Sequence, residues 1–238
     1  MKCREDHASG FHFVTVSDTG SSHRSVGLPN QDAVSYVSEG EDFALAVSDG
    51  VGSCAQADVG SQAAVDAVCE AFFSMRAGCI KTPVQLTSSV LTSWKASVPH
   101  RAMDDCCATI KAALKLGSRM VLVSLGDGLL VAASGNTTSM APTDMPAFAN
   151  QTRCLSSNTL PDDIWTTEMA VSKPDSLVVL ICTDGVANHL QEGREIELAK
   201  EIEHGLKPLE LRAAIESLVT DISEYSSDDR TIGVVKYE

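Results

Sequence analysis

Four times along the chain an apolar run closes on an acidic residue. Phe43-Ala44-Leu45-Ala46-Val47-Ser48 ends on Asp49-Gly50, residues 120–125 lead into Gly126-Asp127-Gly128, and residues 177–183 lead into Asp184-Gly185. At the fourth, Asp228-Asp229 stand just ahead of Thr231-Ile232-Gly233-Val234-Val235. A carboxylate at the mouth of a strand, held by a glycine turn, is positioned by a rigid scaffold and stays open to solvent. Several such strands side by side would gather oxygen ligands into a site for a hard cation such as Mg²⁺ or Mn²⁺. One Asp-Gly alone is a turn, because glycine accepts positive φ and aspartate bonds its own backbone. Four repeats of the same strand-then-Asp pattern favour a metal site over a set of unrelated turns.

The elements that would carry these ends follow from periodicity. Residues 11–17 alternate as a strand, and 33–38 and 43–48 form a pair joined across Glu39-Gly40-Glu41-Asp42. Two amphipathic helices are expected at 61–75, with Ala64, Val65, Val68, Phe72 and Phe73 at helical spacing, and at 84–98, with Leu86, Val90, Leu91 and Trp94 on one face. Residues 108–116, 119–125 and 129–134 are predicted to form an antiparallel meander. The polar stretch 135–175 is expected to include a long surface excursion. A buried strand at 177–183, helices at 192–203 and 208–224, and a last strand at 231–236 complete the order. This order is not a βαβ alternation. It predicts an α+β fold, two antiparallel sheets packed face to face with helical pairs outside, in one domain over residues 1–238.

Composition excludes several functions. The 238 residues are 44% hydrophobic, enough for a buried core. No apolar stretch approaches the roughly 18 residues of a membrane span, and the first residues lack the apolar segment of a secretory signal. A cytoplasmic chain is therefore expected. A formal net charge of −14 opposes nucleic-acid and anionic-membrane partners. None of the eight cysteines forms a Cys-x-x-Cys pair or heads the Cys-x5-Arg loop of a thiol phosphatase, and they read as small buried hydrophobes.

Read in order, the acidic strand ends resemble those of the metal-dependent protein phosphatases of the phosphatase 2C type, in particular the compact bacterial branch. The match begins at Gly20-Ser21-Ser22-His23-Arg24-Ser25-Val26-Gly27-Leu28-Pro29-Asn30-Gln31-Asp32-Ala33. It continues through Val47-Ser48-Asp49-Gly50-Val51-Gly52-Ser53, Ala108-Thr109-Ile110, Gly126-Asp127-Gly128, Thr183-Asp184-Gly185 and Asp228-Asp229-Arg230-Thr231. The resemblance implies a four-layer αββα sandwich with two Mn²⁺ or Mg²⁺ ions at one edge. By the same resemblance Asp49 bridges both ions, the Gly50 carbonyl assists one, and Asp184 and Asp228 complete the other. Asp32 holds metal-bound water or ligates directly, and Asp127 recruits a third, looser ion. The implied activity is hydrolysis of phosphoserine and phosphothreonine by metal-activated water, on a phosphorylated protein substrate that a serine/threonine kinase produces. Two divalent ions about 4 Å apart acidify a shared water and stabilise the phosphoryl oxygens.

Departures from the family pattern matter for the phosphate. Gln31 stands where many members carry glutamate, and Gly27 where they carry the phosphate-gripping arginine. Arg24 is the nearest substitute, and bidentate contact from its guanidinium would suit a phosphate; the alternative is a solvated loop arginine. His23 is a general-acid or pocket-shaping candidate against an ordinary loop histidine. Val51 occupies a position where eukaryotic members have a histidine, Asn188 replaces an acidic residue, and His189 reads as helix-edge filler. Asp229 replaces an asparagine and is expected to face outer-shell water or solvent. Arg153, in a segment unlike the flap of the better-known bacterial enzymes, could face the site, with an ordinary structural role as the preferred alternative. A regulatory binding module on the same fold and a small-molecule phosphomonoesterase are the competing readings.

Overall fold

The computed structural model describes residues 1–142, 153–171, 176–205 and 208–237. Its strands are β1 (Lys2–Ala8), β2 (Phe11–Asp18), β3 (Asp32–Glu39), β4 (Asp42–Asp49), β5 (Ile110–Leu116), β6 (Arg119–Leu125), β7 (Leu129–Ser134), β8 (Thr137–Met140), β9 (Trp165–Ala170), β10 (Leu177–Cys182) and β11 (Arg230–Tyr237). The helices are α1 (Ser21–Val26), α2 (Ala57–Arg76), α3 (Pro83–Ser97), α4 (Asp184–Ala187), α5 (Glu195–Gly205) and α6 (Pro208–Ile222). One sheet has the order β1-β2-β11-β10-β7-β8 and the other β3-β4-β5-β6-β9, and every pairing is antiparallel.

The expected sandwich is present, and its layers follow from strands buried on both faces. Phe13, Phe43, Leu45, Leu122, Val179 and Ile181 pack between the two sheets. The opposite face of the five-stranded sheet takes α2 and α3 through Val65, Val68, Phe72, Leu86 and Trp94. The opposite face of the six-stranded sheet takes α5 and α6 through Ala199, Ile202, Leu211, Ile215 and Val219. Helix α3 starts where the sequence can cap it: Pro83 fits the first turn, and Thr82 and Gln85 form a reciprocal capping box.

Two expectations are corrected. The run 108–134 is not one meander: β5 and β6 pair in one sheet, but β7 joins β10 in the other, so Gly126-Asp127-Gly128 is a crossover between sheets. The stretch 135–175, expected to include a surface excursion, also supplies the edge strands β8 and β9, which the sequence pattern did not show; its residues 143–152 and 172–175 lie outside the described residues. Strand β1 and the short helices α1 and α4 also lie outside the expected elements.

Candidate metal centre

Register brings the acidic strand ends together. Asp49 closes β4 beside Thr109: the Asp49 amide donates to the Thr109 hydroxyl at 2.9 Å and the Thr109 amide donates to the Asp49 carbonyl at 2.7 Å. Cys182, at the end of β10, pairs with both Leu129 of β7 and Ile232 of β11. Asp184, Asp127 and Asp228 therefore leave adjoining strand ends. With Gly50, these four aspartates line one cleft of about 210 Å³, and His23 shares its wall. Lys111, not singled out from the sequence, is buried beneath: its Nζ donates to the Gly126 carbonyl at 2.6 Å and the Ser124 hydroxyl at 2.7 Å, anchoring the Asp127 crossover.

The glycines after these aspartates do different work. Gly128 has φ +89°, as a turn requires. Gly50 and Gly185 are not in the left-handed region. They are small because other chain segments touch them: a Cβ would lie 2.4 Å from the Ala57 carbonyl oxygen at Gly50 and 1.9 Å from the Asp229 carbonyl oxygen at Gly185. The second contact clamps the start of α4 against the turn before β11, which holds Asp184 near Asp228.

Carboxylates gathered this closely resist ionisation. Burial, followed by the charges of Asp32 and Asp184, pushes the Asp49 carboxyl well above the ordinary range. Burial and Asp127 raise Asp184. Asp32, behind Asp49 and paired with it in the β3–β4 register, is raised to about 8 by burial and by Asp229 and Asp184, although the Thr183 hydroxyl donates to it at 2.8 Å. Gln31 also lines the cleft, and its buried Oε1 accepts no hydrogen bond among the described residues. An all-oxygen donor set, mutually repelling carboxylates and a buried amide oxygen lacking a donor fit a hard divalent cation. No three cleft carboxylates among the described residues bring ligand atoms within 4.8 Å of one another, a spread wider than one ion's compact shell.

The other candidates separate. Asp32 does not line this cleft but a neighbouring groove. Arg24 is also absent from the cleft's lining: its half-exposed guanidinium donates to Asp18 at 2.5 Å, beside the buried Arg230 that donates to the other Asp18 oxygen at 2.6 Å. Gripping a phosphate would require Arg24 to leave Asp18. His23 is held by Asp229, Nδ1 to Oδ2 at 2.9 Å. Of the two alternatives for Asp229, outer-shell water or solvent, the structure removes the second: Asp229 lines the cleft but is not solvent-facing. It is buried, and accepts the Gly20 and Gln31 amides, each at 2.6 Å, so one carboxylate ties α1, the Asn30-Gln31-Asp32 segment and β11 together. Arg153 instead donates to the Asp163 carbonyl at 2.8 Å.

These carboxyls give the metal-free chain a pH dependence of definite sign. An unfolded aspartate titrates near about 3.9, whereas Asp32 in the fold titrates at about 8. An acid with a raised folded value contributes no penalty below its unfolded pKa, and folding loses stability as pH rises toward the folded value. In chelator, the melting temperature is expected to fall by about 5 °C or more between pH 5 and pH 8. Added Mn²⁺ should stabilise most at pH 8, because binding displaces protons. A chelated melting temperature that rises over this interval would contradict the assignment.

The chain is an αββα sandwich with an acidic cleft at one sheet edge. A sequence profile described as Protein phosphatase 2C matches residues 19–221, and the chain belongs to this family. Comparison with curated protein sequences gives no match. Among solved structures, the chain is similar to the catalytic domain of the serine threonine protein phosphatase PstP in complex with two manganese ions. That likeness has a TM-score of 0.67 at 18% identity, covering 95% of this chain and 97% of that one. It is also similar to PppA, a key regulatory component of T6SS in Pseudomonas aeruginosa, with TM-score 0.68, 18% identity and 97% and 99% coverage. RsbX in complex with magnesium gives 0.62 at 15% identity, covering all of both chains. At such identities the likeness carries the fold.

Proposed function

We propose that this chain is a Mn²⁺- or Mg²⁺-dependent phosphatase that hydrolyses phosphoserine and phosphothreonine in proteins, acting in the cytoplasm against a serine/threonine kinase. The observation that carries this reading is the convergence of Asp49, Asp127, Asp184 and Asp228 on one cleft with the buried, unbonded Gln31 oxygen. Asp49, Asp184, Asp228 and the Gly50 carbonyl would hold two ions, and Asp127 a third. Ions bound there supply an acidified water and positive charge facing the phosphoryl oxygens. The described lining holds no Lys or Arg, so the protein itself offers the phosphate little beyond His23. Asp229 fixes the ring of His23 through Nδ1, so that in its imidazolium form, with both nitrogens protonated, the ring would give its Nε2 proton to the departing serine or threonine oxygen and return to the neutral Nδ1–H form. Thr183 holds Asp32 behind the cleft, and Asp229 holds the Gln31 backbone at its wall.

The test is phosphate release from a phosphothreonine peptide and from p-nitrophenyl phosphate, each with Mn²⁺ and with chelator. Metal-dependent turnover on both is expected, with kcat/KM higher for the peptide. Inactivity of metal-loaded protein on both substrates would instead favour a binding module, and a preference for the small ester would favour a metabolite phosphatase.

A further inference from the structure

A second cluster of ligating side chains lies at the other end of β2, on the hairpin it forms with β1. The hairpin turns on two residues, Ser9 at φ 50° and Gly10 at φ 83°, the positive-φ pair that suits a tight two-residue loop. Such a loop fixes register, and here it sets His7 directly opposite His12, with Glu5 two residues before His7 on the same face. Ala8 and Phe11 flank the loop as the first pair, so His7 and His12 form the next, non-hydrogen-bonded pair, where opposed side chains come closest. Their rings stack at 4.2 Å.

The ligand atoms of Glu5, His7 and His12 all lie within 4.8 Å of one another, the single such group among the described residues. Both Nε2 atoms approach the same carboxylate oxygen: His12 Nε2 is 2.9 Å from Glu5 Oε1 and His7 Nε2 is 3.9 Å from it. The other oxygen, Glu5 Oε2, lies 3.5 Å from Arg212 Nη1, and Arg212 also reaches Glu216 at 3.2 Å on α6. That arrangement is the usual outer support of a metal-binding carboxylate, which an external donor holds in orientation. Lys236, opposite His12 on β11, directs its Nζ away to the Ile202 and Glu203 carbonyls at 3.1 and 3.0 Å.

We propose that Glu5, His7 and His12 bind one Zn²⁺ ion, separate from the carboxylate cleft. Two imidazoles and one carboxylate suit zinc rather than magnesium, and the solvent-facing side of Glu5 and His7 leaves a fourth position for water. Six residues of extended chain, about 20 Å, separate His12 from Asp18 at the other end of β2, and none of Glu5, His7 and His12 lines the carboxylate cleft, so the two sites are distinct. Bound zinc would close the hairpin on itself and, through Arg212, on α6.

The experiment is calorimetric titration of Zn²⁺ into the full chain after EDTA treatment, in excess Mg²⁺ to fill the carboxylate cleft. His7→Gln and Glu5→Gln change exposed or half-exposed side chains and should leave the fold intact. One equivalent of Zn²⁺ is expected in the parent, weakened at least about tenfold in each variant. Co²⁺ in place of zinc should give a tetrahedral visible spectrum without a thiolate charge-transfer band. The proposal is overturned by equal zinc affinity in His7→Gln, by a thiolate band that assigns the ion to cysteines, or by no zinc binding at all, which would leave a Glu5–His12 ion pair only.

Discussion

Asp49→Asn should reduce Mn²⁺-dependent phosphate release by about 1000-fold or more while making the metal-free chain more stable. The two effects have one cause. Asp49 is held above the ordinary carboxyl range by burial and by Asp32 and Asp184, so its charge is unfavourable until a cation balances it. The amide keeps the side chain's shape, removes that charge, and can donate to Asp184, with which Asp49 already shares a hydrogen bond. At pH 8 in chelator the variant should melt about 3 °C higher than the parent. Its response to Mn²⁺ should largely disappear. Thermal scans with and without metal, run beside the phosphatase assay, check both halves. If the variant is inactive but also less stable in chelator, the carboxylate cluster is not the strained group described here.

This trade between stability and function explains which parts of the site were legible in the sequence. Asp49, Asp127 and Asp184 could be found because a carboxylate terminates an apolar strand there, and the strand itself is visible as a buried run. Asp228 and Asp229 were told apart only through the resemblance, because adjacent residues of one type carry no sign of which points inward; the Gly20, Gln31 and His23 donors are what show Asp229 to be buried. Arg24 looked available because sequence distance placed it near the Asp32 motif, whereas Asp18, at the end of the neighbouring strand, takes its guanidinium.

The fold shows the same division. Helices α2 and α3 were readable because they bury a periodic face of Ala, Val, Leu and aromatic residues. Strand β1 was not, because nearly all its side chains are exposed and charged or polar, so no alternation marks it. Pairing to β2 through the Ser9-Gly10 turn makes it a strand. The sheet change between β6 and β7 was equally hidden, since local pattern fixes that a strand forms but not which neighbour it takes.

Gly185→Ala should cost more than about 3 kcal/mol of stability and remove metal-dependent activity, although Asp-Gly ordinarily marks a tolerant turn. A turn reading would make alanine harmless here, because Gly185 has no positive φ, and replacement of such a glycine commonly stabilises by reducing the freedom of the unfolded chain. The added methyl, however, would stand 1.9 Å from the Asp229 carbonyl oxygen. Backbone lies on both sides of that contact, so relief requires α4 to separate from the turn that carries Asp228 and Asp229. Separation displaces Asp184 from Asp228 and loosens the clamp on Gly20, Gln31 and His23. Gly78→Ala provides the contrast: Gly78 has φ +73° and an added methyl there would meet nothing within 4 Å, so its cost is backbone strain of about 1 kcal/mol and Mn²⁺ affinity is unchanged. Denaturant unfolding and metal titration of the two variants separate spacing from conformation. Equal, small losses in both would mean that Gly185 is an ordinary turn residue after all.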